Sequence, residues 1–216
     1  SALAQQLAEV LADRPEAGQL PRVLACSPFV ADLLRRRPEL LLDLVASNEL
    51  QQSLPEDAVR TALQQQLAAE GAELLPVLRH FRARHMLRIV WRDFCRLADT
   101  LETVRDTSLL AEAAVAEALA HSQAQLQSRF GVPRGRHSGA AQQLIVLAMG
   151  KLGALELNVS SDIDLIFTYP VGGQTDSAEQ SLSNEEFFTR LGRAVISALD
   201  QVTVDGFVFR VDMRLR

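Results

Sequence analysis

Residues 147–170, LAMGKLGALELNVSSDIDLIFTYP, set Asp162 and Asp164 two positions apart in a run that is otherwise apolar and β-prone. A strand turns successive side chains to opposite faces, so these carboxylates share one face while Ile163 and Leu165 share the other. Two like charges aimed at one place repel unless a cation, a proton or solvent lies between them, and a divalent-metal site is the reading with a chemical use. Further on, in residues 207–214, Phe209, Val211 and Met213 alternate with Arg210, Asp212 and Arg214, which puts Asp212 on a polar face between two guanidinium groups. If that strand pairs beside the first, three carboxylates converge. Such a set can hold two hard divalent cations about 3.5–4 Å apart for in-line phosphoryl chemistry, with the arginines neutralising phosphate oxygens.

The turn Gly150-Lys151-Leu152-Gly153 brings backbone N–H groups within reach of a phosphate, and Ser160 and Ser161 add hydroxyl donors just before the acidic pair. Taken singly these signals are weak. An Asp-x-Asp usually marks a turn or a solvated strand face, and Gly-Lys-x-Gly lacks the spacing of a P-loop. Their conjunction carries the reading: strand, glycine turn, Ser-Ser-Asp-Ile-Asp strand, then a later strand with Asp212.

The elements that must position these residues divide near residue 130. Before it the pattern is helical. Ser27 reads as an N-cap with Pro28 at the first helical position, and Pro38 repeats that role for the next helix. Residues 55–70 and 73–103 are again helical, the second being the longest expected, and residues 107–130 give one more. In the long segment Met86, Val90, Phe94 and Leu97 form a buried stripe. Arg84, Arg88, Arg92 and Arg96 run down another face, read as solvated and partnered by acids such as Asp93 and Asp99, in preference to an anion-binding surface. His80 and His85 read as surface or packing histidines. Residues 131–143 are a Gly/Pro/Arg/Ser connecting loop. After it, QLIVLAMG reads as a buried strand and DIDLIFTYP as a second, stopped by Pro170. Residues 171–186 form a polar, mobile loop, and Ser183 with Glu186 makes a capping box for a helix to about Leu199. Asp205-Gly206 between two β-prone runs is the strongest hairpin signal in the chain.

With 216 residues, the chain is long enough for two modest domains with real cores, and 48% apolar residues at a net charge of −5 describe a soluble, largely helical protein. The acidic balance argues against nucleic-acid partners, and no apolar run reaches membrane-spanning length, so a cytoplasmic protein without membrane attachment is expected. Cys26 and Cys95 fit neither a zinc pattern nor a disulfide framework and read as small buried residues. The chain opens on Ser1 without Met and breaks off in a strand-like run, which suggests a piece of something longer.

The glycine turn and Asp-hydrophobic-Asp strand resemble the nucleotidyltransferase superfold shared with DNA polymerase beta. MGKLGALELNVSSDIDLIF and FRVDMRLR resemble more narrowly the bacterial glutamine synthetase adenylyltransferase/adenylyl-removing family, and LPRVLACSPFVADLLRRRPELLLDLV and LRHFRARHMLRIVWRDF resemble the helical segments before its first catalytic domain. The resemblance covers nearly the whole chain. It implies an α+β fold, with a helical domain over 1–130 followed by a mixed-sheet nucleotidyltransferase core over 131–216, incomplete at its C-terminal end. It also implies the adenylyl-removing half: phosphate attacks adenylyl-tyrosine on glutamine synthetase, releasing ADP in the control of nitrogen assimilation. On the same resemblance Asp162, Asp164 and Asp212 bind Mg²⁺ or Mn²⁺, and Gly150, Lys151, Gly153, Ser160 and Ser161 line the phosphates. Arg214 and Arg216 are further phosphate or nucleotide contacts. Lys151 stands where many superfamily members have Ser. The implied partners are adenylylated glutamine synthetase, the PII signalling protein, inorganic phosphate and an adenine nucleotide. Two alternatives stay open: AMP transfer from ATP, and a catalytically silent regulatory or binding piece.

Overall fold

A computed structural model describes residues 9–213 of the chain. Proline and serine punctuation sets its first helices. α1 (Pro15–Cys26) has a proline in its first turn and ends at Ser27. That serine then starts α2 (Pro28–Arg36) by accepting a hydrogen bond from the Val30 N–H, which satisfies one of the donors orphaned at a helix start. Pro38 is itself the N-cap of α3 (Glu39–Ala46), one position earlier in the cap than the sequence suggests. α4 (Ala58–Leu67) is shorter at both ends than the expected 55–70.

The helix expected over 73–103 is two helices. α5 (Leu74–Phe94) stops, and α6 (Thr100–Phe130), at 31 residues, is the longest described. Arg96 takes a left-handed backbone (φ 57°), and Asp99 caps the new helix by accepting from the Glu102 N–H at 2.8 Å. Of the expected stripe on α5, Met86 and Val90 are buried, while Phe94 and Leu97 are half-buried. The arginine row is not a solvated face. Arg88 and Arg92 are buried and pair with Asp106 and Glu102 of α6, Arg84 pairs with Glu49, and only Arg96 of the four is exposed. Helix–helix packing supplies those acids from elements distant in sequence, which spacing within α5 does not reveal.

The sheet region follows: β1 (Pro133–Gly135), β2 (Ile145–Met149), the single turn α7 (Gly150–Gly153), β3 (Ile163–Thr168), β4 (Gly173–Thr175), α8 (Asn184–Asp200) and β5 (Val211–Asp212). β2 runs antiparallel to β3, and β3 parallel to β5, with α8 crossing between the last two. Ser183 caps α8 through the Glu186 N–H, as its capping box predicts. One face of the sheet, Ile163, Leu165 and Phe167, packs into the core. Gly192 of α8 makes that contact close, since a Cβ there would lie 3.4 Å from the Phe167 ring. On the other face Ile145, Leu147, Met149 and Ile166 are each 43–46% exposed, so β2 is covered on one side and not the doubly buried strand expected.

Two expected loops pair with each other. β1, inside residues 131–143, is antiparallel to β4, inside residues 171–186. Asp176 holds this ribbon: its carboxylate accepts from the Val132 N–H and from Arg134, which keeps its pKa below the usual range. The hairpin expected at Asp205-Gly206 does not form. Thr203 and Gly206 close a tight turn through reciprocal backbone hydrogen bonds, Val202 and Val204 are exposed, and the Val208 and Phe209 N–H groups return to the Leu199 carbonyl. The segment turns the chain off α8, leaving β5 to join β3 in parallel. Cys26 is exposed and Cys95 half-buried, against the expectation that both are buried.

Two hydrophobic clusters organise the whole. One gathers Val30, Leu40, Leu44, Leu87 and Trp91; the other joins Met86 and Ile89 of α5 to Leu110 and Ala114 of α6, to β3, and to Phe187, Leu191 and Val195 of α8. Among the described residues no helix is long and apolar enough to cross a membrane.

Candidate active site

β2 ends in the glycine turn, and the geometry of α7 requires its glycines. Gly150 has φ +55°, and a Cβ on it would lie 2.8 Å from Asp164 Oδ2; a Cβ on Gly153 would lie 2.5 Å from the Ala148 carbonyl oxygen. The turn therefore folds back over the end of the sheet, against the strand that carries the acidic pair. Lys151 Nζ reaches Ser161 Oγ at 3.3 Å, so the two halves of the sequence motif meet in space. The loop between them is pinned at both ends. Its Leu157 N–H donates to Ser108 Oγ of α6 at 3.0 Å, and the Ser161 N–H to the Asn158 carbonyl. Ser108 is a positioning contact that sequence reasoning passes over, because nothing local marks a mid-helix serine as a tether.

The strand register brings Asp164 and Asp212 together. Asp164 is the direct neighbour of Asp212 across the parallel pair β3–β5, and on its other side it faces Met149 at the end of β2. Asp162 precedes β3 by one residue and is exposed, one strand period from Asp164. The Ile163 N–H donates to the Arg210 carbonyl at 2.9 Å, which carries the pairing past the named strand toward Asp162. Among the described residues no three His, Cys, Asp or Glu side chains are drawn close enough to hold a metal ion. The donors available are all oxygens, carboxylates with neighbouring serine hydroxyls, and that set suits a hard divalent cation rather than a soft one. Arg210 is exposed, its guanidinium carbon 5.4 Å from the centre of the Phe207 ring. Arg214 and Arg216 lie outside the described residues.

A cavity of about 450 Å³ opens beside Ser160, Ser161 and Asp162, walled by Arg82, Met86 and Val90 of α5 and by Phe207 and Phe209. The sequence reading names Met86 and Val90 only as core and omits Arg82, which continues their i, i+4 stripe.

The family model described as glutamate-ammonia ligase adenylyltransferase matches residues 17–216. A protein of Pseudomonas syringae pv. tomato named bifunctional glutamine synthetase adenylyltransferase/adenylyl-removing enzyme is 49% identical over 223 residues, covering all of this chain and 23% of the relative. Proteins of the same name from Pseudomonas aeruginosa and Shewanella oneidensis are 52% and 44% identical, over 90% and 92% of the chain and 20% and 21% of their own lengths. The chain thus spans about a fifth of the curated relatives it matches. With the family model matching residues 17–216 and such identity running through helices and sheet alike, the chain belongs to the glutamate-ammonia ligase adenylyltransferase family.

Proposed function

We propose that this chain carries the adenylyl-removing site of its family: phosphorolysis of adenylyl-tyrosine on glutamine synthetase, giving ADP and the free tyrosine. The observation that carries a nucleotidyl-transfer site is the register of Asp164 beside Asp212 with the Gly150 turn folded over Asp164. The choice of removal over transfer rests on the resemblance of residues 149–167 and the preceding helices to the adenylyl-removing half of the family. In this reaction an oxygen of inorganic phosphate forms a bond to the α-phosphorus of the adenylyl group, and the bond from that phosphorus to the tyrosine oxygen breaks. Asp162, Asp164 and Asp212 would hold Mg²⁺ or Mn²⁺, whose charge, when bound, neutralises the two anions that must meet. The backbone N–H groups of the glycine turn, Lys151, and the Ser160 and Ser161 hydroxyls orient phosphate oxygens, and Arg210 meets charge developing on them. A phenol with a solution pKa of about 10 leaves as its anion without strong acid assistance, so the site needs no dedicated general acid.

The relatives' printed name joins two opposite activities, and AMP transfer from ATP would use the same carboxylates. The cosubstrate separates them: phosphate with adenylylated protein for removal, ATP with unmodified protein for transfer. The test is phosphate-dependent ADP release from adenylylated glutamine synthetase with Mg²⁺ or Mn²⁺, comparing this chain with its Asp164→Asn variant. Release that falls by on the order of 10²-fold or more in the variant supports the direction and the role of Asp164. ATP-dependent AMP incorporation without ADP release would reverse the direction, and silence in both assays would leave a binding module.

A further inference from the structure

We infer that the cavity between α5 and the loop at residues 159–162 is a binding site for a small aromatic oxyanion, with Arg82 as its anion receptor. The phosphorolysis reading gives Arg82 no part, although Ser160, Ser161, Asp162 and Arg210 at the cavity's edge belong to the site it describes.

The arginines of α5 form a nearly complete set of satisfied groups. Arg79 donates to the carbonyls of Leu75, Gln201 and Gly206; Arg84 pairs with Glu49, Arg88 with Asp106 and Arg92 with Glu102. Arg82 differs. Its Nε is buried with no hydrogen-bond partner, and among the described residues it makes no ion pair. Its guanidinium carbon lies instead 5.8, 5.3 and 6.0 Å from the ring centres of Phe29, Phe207 and Phe209. Ring faces attract a cation but accept none of its N–H bonds in full, so a half-buried guanidinium held this way, with its Nε buried, is electrostatically incomplete. Burial lowers its pKa, and no neighbouring acid offsets that shift. A two-oxygen anion matches the guanidinium fork in geometry and charge.

The rest of the cavity selects what the anion is attached to. Arg82, Met86, Val90 and Phe94 follow one face of α5, a floor about 18 Å long at 1.5 Å per residue. Phe207 and Phe209 stand over it, so the body that fits beside the charge is flat and apolar. Behind Arg82 lies a second cavity of about 380 Å³, bordered by Arg36, Arg37 and Arg79, where Asp205 is the acid and is paired with Arg37. The field of this second cavity favours an anion, while in the first Arg82 and Arg210 face Asp93 and Asp162, so there the anion is drawn to the Arg82 end, away from the carboxylates. The first cavity also touches Ser160, Ser161 and Asp162, so a ring bound there would lie against the loop that feeds the acidic strand.

The shared chemistry, an oxyanion on a ring, belongs to aryl phosphates and aryl carboxylates alike. Titration calorimetry without divalent cations, using phenyl phosphate, benzoate and inorganic phosphate as probes, separates them and keeps the acidic face unloaded. Saturable binding of phenyl phosphate or benzoate is expected, with inorganic phosphate at least about tenfold weaker and Arg82→Met weakening the ring probe by at least about tenfold. Asp164→Asn should leave it unchanged. Phe207→Leu, which keeps apolar volume but removes the ring, should weaken it several-fold. Because Arg82→Met relieves an unpaired buried charge, the free variant should melt no lower than wild type and lose the rise in Tm that the probe gives wild type. Absence of binding by both ring probes, equal binding in Arg82→Met, or loss in Asp164→Asn would overturn the inference. So would a Tm lowered by Arg82→Met with no probe effect on wild type, which would make Arg82 a packing cation.

Discussion

Single residues show how burial converts charge into pH dependence. His85 is buried on α5, tilted against the Phe81 ring at 4.2 Å, and burial, reinforced by the Arg84 charge, lowers its pKa to about 4. Its neighbour Glu49 is also lowered: burial alone would raise it, but hydrogen bonds from Arg84 and Ser47 outweigh that. The sign for His85 follows from linkage. Unfolded, the imidazole takes its proton near pH 6.5; folded, only near pH 4, so between these values the unfolded chain binds more protons and stability falls as pH falls. Above the unfolded pKa the full contribution is present. Urea unfolding of wild type and His85→Gln from pH 7.5 to pH 4 should show a difference that narrows with falling pH by about 2–3 kcal/mol at most. Comparison with the variant cancels the carboxylates, which titrate in part of the same window. Parallel curves would mean that His85 keeps a solvent route to its proton. The sequence reads His85 as a surface or packing histidine, and the structure makes it the second. Its neutrality is not legible in the sequence, because it depends on which acid and which arginines fold around it.

Elements repeat this division between local signals and distant partners. Ser27 and Ser183 were readable as helix starts because a cap needs only its own next three residues. Asp99 before Glu102 is the same kind of signal, and it splits a helix that periodicity alone runs together. The Asp205-Gly206 turn is likewise real, but whether its flanks become strands depends on α8, whose end they return to. The carboxylate strand and the strand of Asp212 both read from alternation; what leaves no local mark is that the second arrives in parallel, over a helix, and not from a hairpin. The arginine face of α5 is the clearest case. Arg88 Nη1 meets Asp106 Oδ2 at 2.7 Å in the contact between α5 and α6, and its Nε donates to the Glu49 carbonyl. Both charged groups are buried. Removing Arg88 leaves Asp106 only its partly exposed partner Arg105 and frees the Glu49 and Gln52 carbonyls, so Arg88→Met should lower unfolding free energy by about 3 kcal/mol, the low end for a broken buried pair. Arg96→Met, at an exposed position of the same row, should change it by less than about 0.5 kcal/mol. Chemical denaturation of the two variants decides between this buried tie and the solvated face that sequence spacing suggests.

At the scale of the whole molecule, α5 is the shared wall of both hydrophobic clusters. Leu87, Val90 and Trp91 face the cluster built on α2 and α3, while Met86 and Ile89 face the one that contains α6, α8 and β3. Neighbouring residues of one helix thus enter two cores, and neither core can lose α5 without exposing the other's apolar surface. The sheet that aligns Asp164 with Asp212 rests on the second core, so its geometry is tied through α5 to helices that contribute no candidate catalytic residue. Such sharing predicts one cooperative transition instead of two. The chain has a single tryptophan, Trp91, in the first cluster, with its indole N–H donated to Gln19 of α1 at 2.8 Å. Its fluorescence therefore follows the docking of the first helices, whereas far-UV circular dichroism is dominated by α5, α6 and α8, the longest helices described. Urea melts followed by the two signals should superimpose within error, with a common midpoint and a common slope. A tryptophan transition at lower urea would show the first three helices leaving while the second core stands. The register of the acidic strands would then survive without them, and the apparent bridge through α5 would carry no energy between the two halves.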